Sequence, residues 1–330
     1  MKAVITTVPF GAIDETPLVL MKEAGLDYEI NPLGRKLKPE EVAGVIGSAD
    51  IVIAGTERID KAVMDQCPNL KAICRVGIGL DSVDLVAAKE KEILVSYTPD
   101  APSPAVAELT IGLMLDVLRG VSKADRDIRQ ENWHRLAGRR LSDCKVGILG
   151  CGRIGARVIK HLAMGFPGVD IWANDLLDKP ELDGFVTWAD KKDILQQCDV
   201  ISLHLPLTPQ TQNLISAQEL SLLKSDAVLI NTARGGMINE KALADAIKNG
   251  QLHGAAIDVF EQEPYCGELA ALDNLVLTCH LGSMTKDCRA QMEIEATAEA
   301  VRFMMKEQFL SPVPQAEYDM AESFAVKRGE

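Results

Sequence analysis

Residues 147–155 read GILGCGRIG, a Gly-x-Gly-x-x-Gly string that either cradles a phosphate or forms an ordinary tight turn. The string begins inside the apolar run KVGIL and leads into RIGARVIKHLAM, which is rich in helix formers. A strand, a glycine turn and a helix in succession are the arrangement in which this string binds a dinucleotide. Gly150 would allow the tight turn, Gly152 the approach of a pyrophosphate, and Gly155 the close packing of helix on strand.

A carboxylate at the end of the next strand is the second requirement of such a site, because it accepts hydrogen bonds from the ribose hydroxyls. Asp175 ends the run VDIWAND and lies 20 residues after Gly155, close to the expected spacing of roughly 20 residues. The sequence therefore predicts a site for NAD. NADP is disfavoured because Asp175 would repel its 2′-phosphate, and a flavin is the remaining alternative.

Short apolar runs alternate with helical patterns along the chain, which indicates βαβ units and parallel sheets covered on both faces. One series of runs precedes the proline-rich segment PDAPSP at 99–104, and a second follows it after a long helical pattern, AVAELTIGLMLDVLRGVSKADRDIRQENW. A helical pattern from Thr285 to Gln308 comes next, and the polar segment after Ser311 is expected to be a loose extension. The predicted strands are KAVITTV, ADIVIAG, LKAICRV and ILVSY, then KVGILG, VDIWAND, DVISLHL, AVLINT, HGAAID and NLVLTCH.

Length and composition favour a folded protein of two domains, since the chain has 330 residues, 47% of them hydrophobic and 25% charged. The net charge of −13 argues against a broad surface for nucleic acid or anionic lipid. The eight cysteines are scattered without a Cys-x-x-Cys pair, which favours reduced thiols over disulfides or a metal site. The amino terminus resembles a strand rather than a signal peptide, and no apolar stretch is long enough for a membrane helix. We expect a cytoplasmic protein without a metal, nucleic-acid or membrane partner.

Two histidines end predicted strands at the sheet edge where open α/β folds bind ligands. Hydride transfer to a 2-keto acid needs a proton donor for the carbonyl oxygen, and imidazole supplies one near neutral pH. Of the five histidines, His280 after NLVLTC is preferred to His204 after DVISL, because Gly282 beside it permits close approach of a ligand. The other three are His134, in a polar stretch, and His161 and His253, which are expected to be structural.

Hydride transfer to a 2-keto acid also needs a cation for the substrate carboxylate and an acid that holds the proton donor. Arg234 in INTARGG follows another predicted strand, and its planar guanidinium suits a carboxylate. The segment DVFEQEP offers three acids as partner of His280. We favour Glu263 over Glu261 and Asp258, although composition alone does not rank them.

In order and spacing, successive segments resemble the D-isomer-specific 2-hydroxyacid dehydrogenase family over about Ala54 to Arg302. They are NLKAICRVGIGLDSVDL, YTPDAPSPAVAELTIGLML, GILGCGRIG, LHLPLTPQT, LINTARGGMINEKALADAI, GAAIDVFEQEP and CHLGSMT. The resemblance implies an α/β fold of two open parallel-sheet domains, with a Rossmann NAD-binding domain at residues 99–285. This domain would be inserted into a flavodoxin-like substrate domain made of residues 1–98 and 286–330. It would also mediate formation of a homodimer.

The resemblance further implies an NAD-dependent oxidoreductase and assigns roles to individual residues. Arg234 would orient the substrate, His280 would act as general acid and base, and Glu263 would pair with His280. Backbone amides of Val76, Gly77 and Ile78 would hold the substrate carboxylate. The expected cofactor contacts are Gly150, Gly152, Arg153, Ile154, Gly155, Asp175, Pro206, Thr232, Asp258 and Gly282.

Within the family, CRVGIGLDSVD, ENWHRLAGRRL and CHLGSMTKD most resemble D-3-phosphoglycerate dehydrogenases, which act on D-3-phosphoglycerate and 3-phosphohydroxypyruvate. A phosphorylated substrate needs a further cation, for which the candidates are Arg58 and Arg75 and, more loosely, Arg135, Arg139 and Arg140. A glyoxylate or hydroxypyruvate reductase, which needs no phosphate site, is the alternative. A non-enzymatic NAD-sensing protein similar to corepressors is the second alternative. The chain ends soon after the last helical pattern, so a carboxy-terminal regulatory domain is not expected.

Overall fold

The computed structural model describes residues 1–328, with side chains described up to Ser323. The chain forms two compact units, one made of Met1–Pro102 and the residues from Thr285 onward, the other of Ser103–Met284. The chain passes from the first unit to the second between Pro102 and Ser103, inside the proline-rich segment 99–104 that separates the two predicted series of strands. The predicted boundaries at residues 98 and 285 lie beside these two positions.

The first unit contains a five-stranded sheet in the order β2-β1-β3-β4-β5, in which all neighbours are parallel. One strand, β2, is absent from the prediction because its sequence, DYEI, is half-exposed at the edge of the sheet and lacks an apolar run. The elements of this segment are β1 (Lys2–Ile5), α1 (Thr16–Ala24), β2 (Asp27–Ile30), α2 (Pro39–Ile46), β3 (Ile51–Ala54), α3 (Lys61–Gln66), β4 (Ala72–Arg75), α4 (Leu85–Glu90) and β5 (Leu94–Ser96).

The second unit contains a seven-stranded parallel sheet in the order β12-β11-β10-β9-β6-β7-β8. The strand order reverses between β6 and β9, and open α/β sheets bind ligands at the carboxyl ends of strands beside such a reversal. Its elements are α5 (Ser103–Arg119), α6 (Val121–Arg129), β6 (Lys145–Leu149), α7 (Arg153–Gly165), β7 (Asp170–Asn174), β8 (Thr187–Trp188), α8 (Lys191–Gln197), β9 (Val200–Leu203), α9 (Ala217–Leu220), β10 (Val228–Asn231), α10 (Glu240–Lys248), β11 (Gly254–Ile257) and β12 (Leu275–Leu277).

The long helical pattern predicted after the proline-rich segment forms two helices, α5 and α6. Gly120 separates them in the left-handed conformation, with φ of 62°. Since this conformation interrupts the hydrogen-bond ladder, glycine is the residue best suited to the break.

The polar tail forms regular structure as far as residue 328, contrary to the prediction of a loose extension. The tail follows α11 (Lys286–Met304). Pro312 forms an antiparallel β-bridge with Ser96 of β5, and the Val313 amide donates a hydrogen bond to the Val95 carbonyl over 3.0 Å. The last helix, α12 (Gln315–Arg328), then packs on α4. A buried valine and pairing with an edge strand fix the tail.

Two negative findings concern only the part of the chain that the structure describes. None of its helices has both the length and the apolar character needed to cross a lipid bilayer. Within the same residues, no three histidine, cysteine, aspartate or glutamate side chains are grouped so that they could hold a metal ion.

Candidate active site

The glycine turn joins β6 to α7 and leaves the start of that helix open to a ligand. Gly150 has φ of +95°, and a Cβ there would lie 2.6 Å from the carbonyl oxygen of His204, so only glycine fits. At Gly152, the N-cap residue, a Cβ would meet nothing within 4 Å. Within the described residues, no side chain caps α7 and no acid lies in its first turn. Its first amides therefore suit an anion.

The Asp175 carboxylate lies against this turn. It follows β7, and its Oδ2 accepts the Cys151 amide over 2.6 Å while Oδ1 accepts the Leu177 amide over 2.9 Å. These bonds orient both oxygens and leave further lone pairs for ribose hydroxyls. The open helix start and the fixed carboxylate together fit the pyrophosphate and ribose of NAD.

The other predicted cofactor residues lie at or near the same edge of the sheet. Thr232 follows β10, and its hydroxyl lies 2.8 Å from that of Thr110. Pro206 lies in the loop after β9, where its carbonyl accepts the Thr211 hydroxyl over 2.7 Å. Arg153 and Ile154 are the first two residues of α7, Gly155 packs against Gly150, and Gly282 lies in the loop after β12.

The structure brings His280 and Glu263 into contact. Nδ1 of His280 lies 2.9 Å from Oε2 and 3.1 Å from Oε1 of Glu263. Because a carboxylate only accepts, Nδ1 carries the hydrogen and donates it. Oε1 of Glu263 also accepts the Phe260 amide over 3.2 Å, which helps to fix the carboxylate. The His280 side chain is 38% exposed, so a substrate can reach the ring.

The two other acids of the same segment have different partners. Glu261 exchanges hydrogen bonds with Glu240, each amide donating to the carboxylate of the other residue. Asp258 is 1% exposed, and its carboxylate accepts three hydrogen bonds. The three donors are the Thr278 hydroxyl at 2.6 Å and the amides of Leu281 at 2.7 Å and Gly282 at 2.9 Å.

Asp258 therefore holds the turn that carries His280. Its carbonyl oxygen also accepts the His280 amide over 2.9 Å. His280 itself has φ of 57°, a left-handed conformation that costs free energy in a residue other than glycine. The sequence predicted Asp258 only as a cofactor contact. It did not show that Asp258 holds the turn around His280, because the residues that it binds lie about 20 positions away along the chain.

Arg234 lies in the loop after β10, while Glu263 and His280 follow β11 and β12, the next two strands of the sheet. The Arg234 guanidinium donates to the Ala233 carbonyl over 2.7 Å, and its own carbonyl accepts the Asn231 side chain over 2.9 Å. Both contacts hold the residue at the edge that carries the His280 and Glu263 pair.

His204, the second candidate for the proton donor, is unsuited to that task. Burial lowers the pKa of its imidazole to about 3, so the ring stays neutral at physiological pH. Its Nε2 lies 2.9 Å from the buried hydroxyl of Ser202. The structure thus distinguishes His280 from His204 as the proton donor, although the sequence places both at equivalent strand ends.

The predicted substrate loop of the first unit differs from expectation at two of its three amides. The Val76 amide donates to the Ala54 carbonyl over 2.8 Å, and the Gly77 amide donates to the Thr98 hydroxyl over 2.7 Å. Both amides are thus already used within the protein. For Ile78, no hydrogen bond of the amide is found within residues 1–328. It is therefore the one of the three that suits a carboxylate.

The predicted phosphate-binding arginines also have partners within the protein. Arg75 is 4% exposed and donates to the carbonyls of Ala54, at 2.9 Å, and Gly79, at 2.9 and 3.2 Å. Arg75 thus braces the segment 76–79, which was predicted to bind the substrate. The exposed Arg58 lies 3.4 Å from Asp60, Arg139 lies 3.1 Å from Asp226, Arg140 lies 2.7 Å from Asp143, and Arg135 is exposed.

Comparison with known proteins identifies the family. Residues 111–282 match the family model described as the D-isomer specific 2-hydroxyacid dehydrogenase, NAD binding domain. The chain belongs to this family. It is an NAD-dependent oxidoreductase of 2-hydroxyacids, which confirms the predicted family, fold class, enzyme class and cofactor.

Individual relatives agree with this assignment. The hydroxypyruvate reductase of Thermotoga maritima is 36% identical over 86% of this chain and 92% of its own length. The D-3-phosphoglycerate dehydrogenase of Methanocaldococcus jannaschii is also 36% identical, over 84% of this chain but only 53% of its own length. Among solved structures, the TT0316 protein from Thermus thermophilus superimposes with a TM-score of 0.86 at 34% identity, covering 95% of this chain and 100% of that one.

Proposed function

We propose that this enzyme reduces a small unphosphorylated 2-keto acid, hydroxypyruvate or glyoxylate, to the D-2-hydroxy acid. The observation that carries the proposal is the hydrogen-bonded pair of His280 and Glu263 at the carboxyl edge of an NAD-binding sheet. In this proposal the second unit is the NAD domain and the first unit is the substrate domain. The family resemblance supports a homodimer, which light scattering of the purified protein would test.

The pair would act as a proton donor that is held in one orientation. Since Nδ1 donates to Glu263, the proton that moves is the one on Nε2 of His280. NADH held by the glycine turn and Asp175 would supply the hydride that reduces the keto carbon. As negative charge grows on the carbonyl oxygen, Nε2 gives it a proton, and Glu263 stabilises the ring while it is charged. Arg234 would orient the substrate through two hydrogen bonds to its carboxylate.

Preference for an unphosphorylated substrate rests on the arginines. Arg75 is buried and bonded to two backbone carbonyls, and Arg58 pairs with Asp60. A phosphate would have to compete with these partners for the guanidinium groups. The nearly full-length similarity to a hydroxypyruvate reductase supports the same choice.

The direct test compares the purified enzyme on hydroxypyruvate, glyoxylate and 3-phosphohydroxypyruvate, with NADH and then NADPH. We expect kcat/KM for an unphosphorylated acid to exceed that for the phosphorylated one by at least about tenfold, the effect of a single charged hydrogen bond. The reverse order would contradict the substrate assignment. His280→Gln should lower kcat by about 100-fold or more and leave NADH binding unchanged.

A further inference from the structure

A second histidine, outside the His280 and Glu263 pair, lies behind the glycine turn. His204 directly follows β9, the strand beside β6. Its carbonyl oxygen lies 2.6 Å from where a Cβ of Gly150 would be, and its own Cβ lies 3.3 Å from where a Cβ of Gly155 would be. The residue therefore forms part of the wall of the turn that fits a pyrophosphate.

The contact with Ser202 determines which ring nitrogen of His204 carries the hydrogen. Ser202 has no exposed surface, and its hydroxyl must donate its single hydrogen to an acceptor. Within the described chain the only partner of that hydroxyl is Nε2 of His204, at 2.9 Å. Nε2 is therefore the acceptor. A neutral imidazole carries one hydrogen, which must then lie on Nδ1.

The Nδ1 atom of His204 is buried and has no hydrogen-bond partner among the residues that the structure describes. Native proteins rarely leave a buried N–H group unmatched, because the lost hydration is not replaced. Since His204 directly follows β9 at the carboxyl edge of the sheet, an oxygen of a bound ligand is the simplest acceptor.

We propose that Nδ1 of His204 donates a hydrogen bond to a pyrophosphate oxygen of NAD. The cofactor would then receive donors from two sides, the first amides of α7 and this ring. The ring is neutral, so it adds a directed hydrogen bond rather than a positive charge.

Two amide variants of His204 test the two ring nitrogens individually. The asparagine side chain places a hydrogen-bond donor near the position of Nδ1, and the glutamine side chain places one near the position of Nε2. Dissociation constants for NADH and ADP would be measured by calorimetry. We expect His204→Gln to weaken both by roughly 10-fold or more, the effect of losing a hydrogen bond to a charged group. His204→Asn should stay within about threefold of the wild type. The matched control is His253→Gln. His253 is exposed and lies just before β11, at the opposite edge of the sheet.

The wild-type protein gives an independent readout that does not depend on how the variants fold. With ¹⁵N-labelled histidine, NMR should find the His204 hydrogen on Nδ1, and this signal should shift when ADP is added. A hydrogen on Nε2 instead would overturn the proposal. An unchanged Nδ1 signal together with unchanged affinity of His204→Gln would mean that a buried water satisfies the ring, which also overturns it. Neither readout measures turnover, so both are separate from the test of the proposed reaction.

Discussion

The Asp258→Asn substitution tests how the turn around His280 is held. Asp258 is almost fully buried, and its two oxygens accept three donors between 2.6 and 2.9 Å. An asparagine of the same shape has one oxygen, so its amide group must face at least one donor. The least costly orientation keeps the Thr278 and Leu281 bonds and turns the NH₂ group toward the Gly282 amide.

The size of the effect follows from that orientation. One charge-assisted hydrogen bond is lost and one buried amide stays unsatisfied, so we expect a loss of about 3 kcal/mol in the free energy of unfolding. The turn also holds His280 in a left-handed conformation. A displacement of about 1 Å at the proton donor would lower kcat by about 100-fold.

Urea denaturation and steady-state kinetics measure the two effects on the same sample, and calorimetry adds the affinity for NADH. Thr278→Val is the matched control, because it removes one donor and leaves both amides with their acceptor; its cost should be about 1 kcal/mol. Wild-type stability and kcat in Asp258→Asn would refute this role of the carboxylate. A change confined to NADH affinity would also refute it, since that result is typical of a residue that contacts only the cofactor.

Three further results are expected. Glu263→Gln should lower kcat by about 10- to 100-fold in steady-state assays with NADH affinity unchanged, because an amide stabilises the charged ring of His280 less well; an unchanged kcat would remove Glu263 from the mechanism. His204 stays neutral in the folded protein to about pH 3 but takes up a proton near pH 6.5 when unfolded, so stability is lost as the pH falls between these values. Urea denaturation from about pH 5.5 to 4 would give the slope of the unfolding free energy against pH. This slope should be steeper in the wild type than in His204→Gln by up to about 1.4 kcal/mol per pH unit. Equal slopes would contradict a neutral, buried His204. Val313→Asp should destabilise the first unit by about 2 kcal/mol in thermal unfolding, because it buries a charge where the tail pairs with β5, whereas Glu317→Gln on the same tail should have no effect.

Local sequence patterns were sufficient for the features that depend on neighbouring residues. The glycine turn and Asp175 are readable because the motif, the strand before it and the carboxylate after it have fixed spacings. The same holds for the buried strands, whose apolar runs are continuous. Two strands were not predicted from the apolar runs: β2, which is half-exposed, and β8, which has only two residues.

Features that depend on distant partners were not readable. The use of the Gly77 amide by Thr98 joins residues 21 positions apart, and the sequence around Gly77 gives no sign of it. Likewise, Arg75 looks like a surface cation until the fold buries it against two carbonyls. Composition alone left three acids as partner of His280, and the family resemblance implied Glu263; the fold places that carboxylate against the ring. Burial and non-local hydrogen bonds decided each of these cases.

Hydride transfer from NADH to a 2-keto acid can be followed directly with deuterium. Purified enzyme would be supplied with hydroxypyruvate and NADH deuterated at the transferred position, and the product analysed by mass spectrometry and chiral chromatography. We expect D-glycerate with one deuterium at the second carbon, and product formation that collapses in His280→Gln. Undeuterated product, the L isomer, or equal activity in the His280 variant would contradict it.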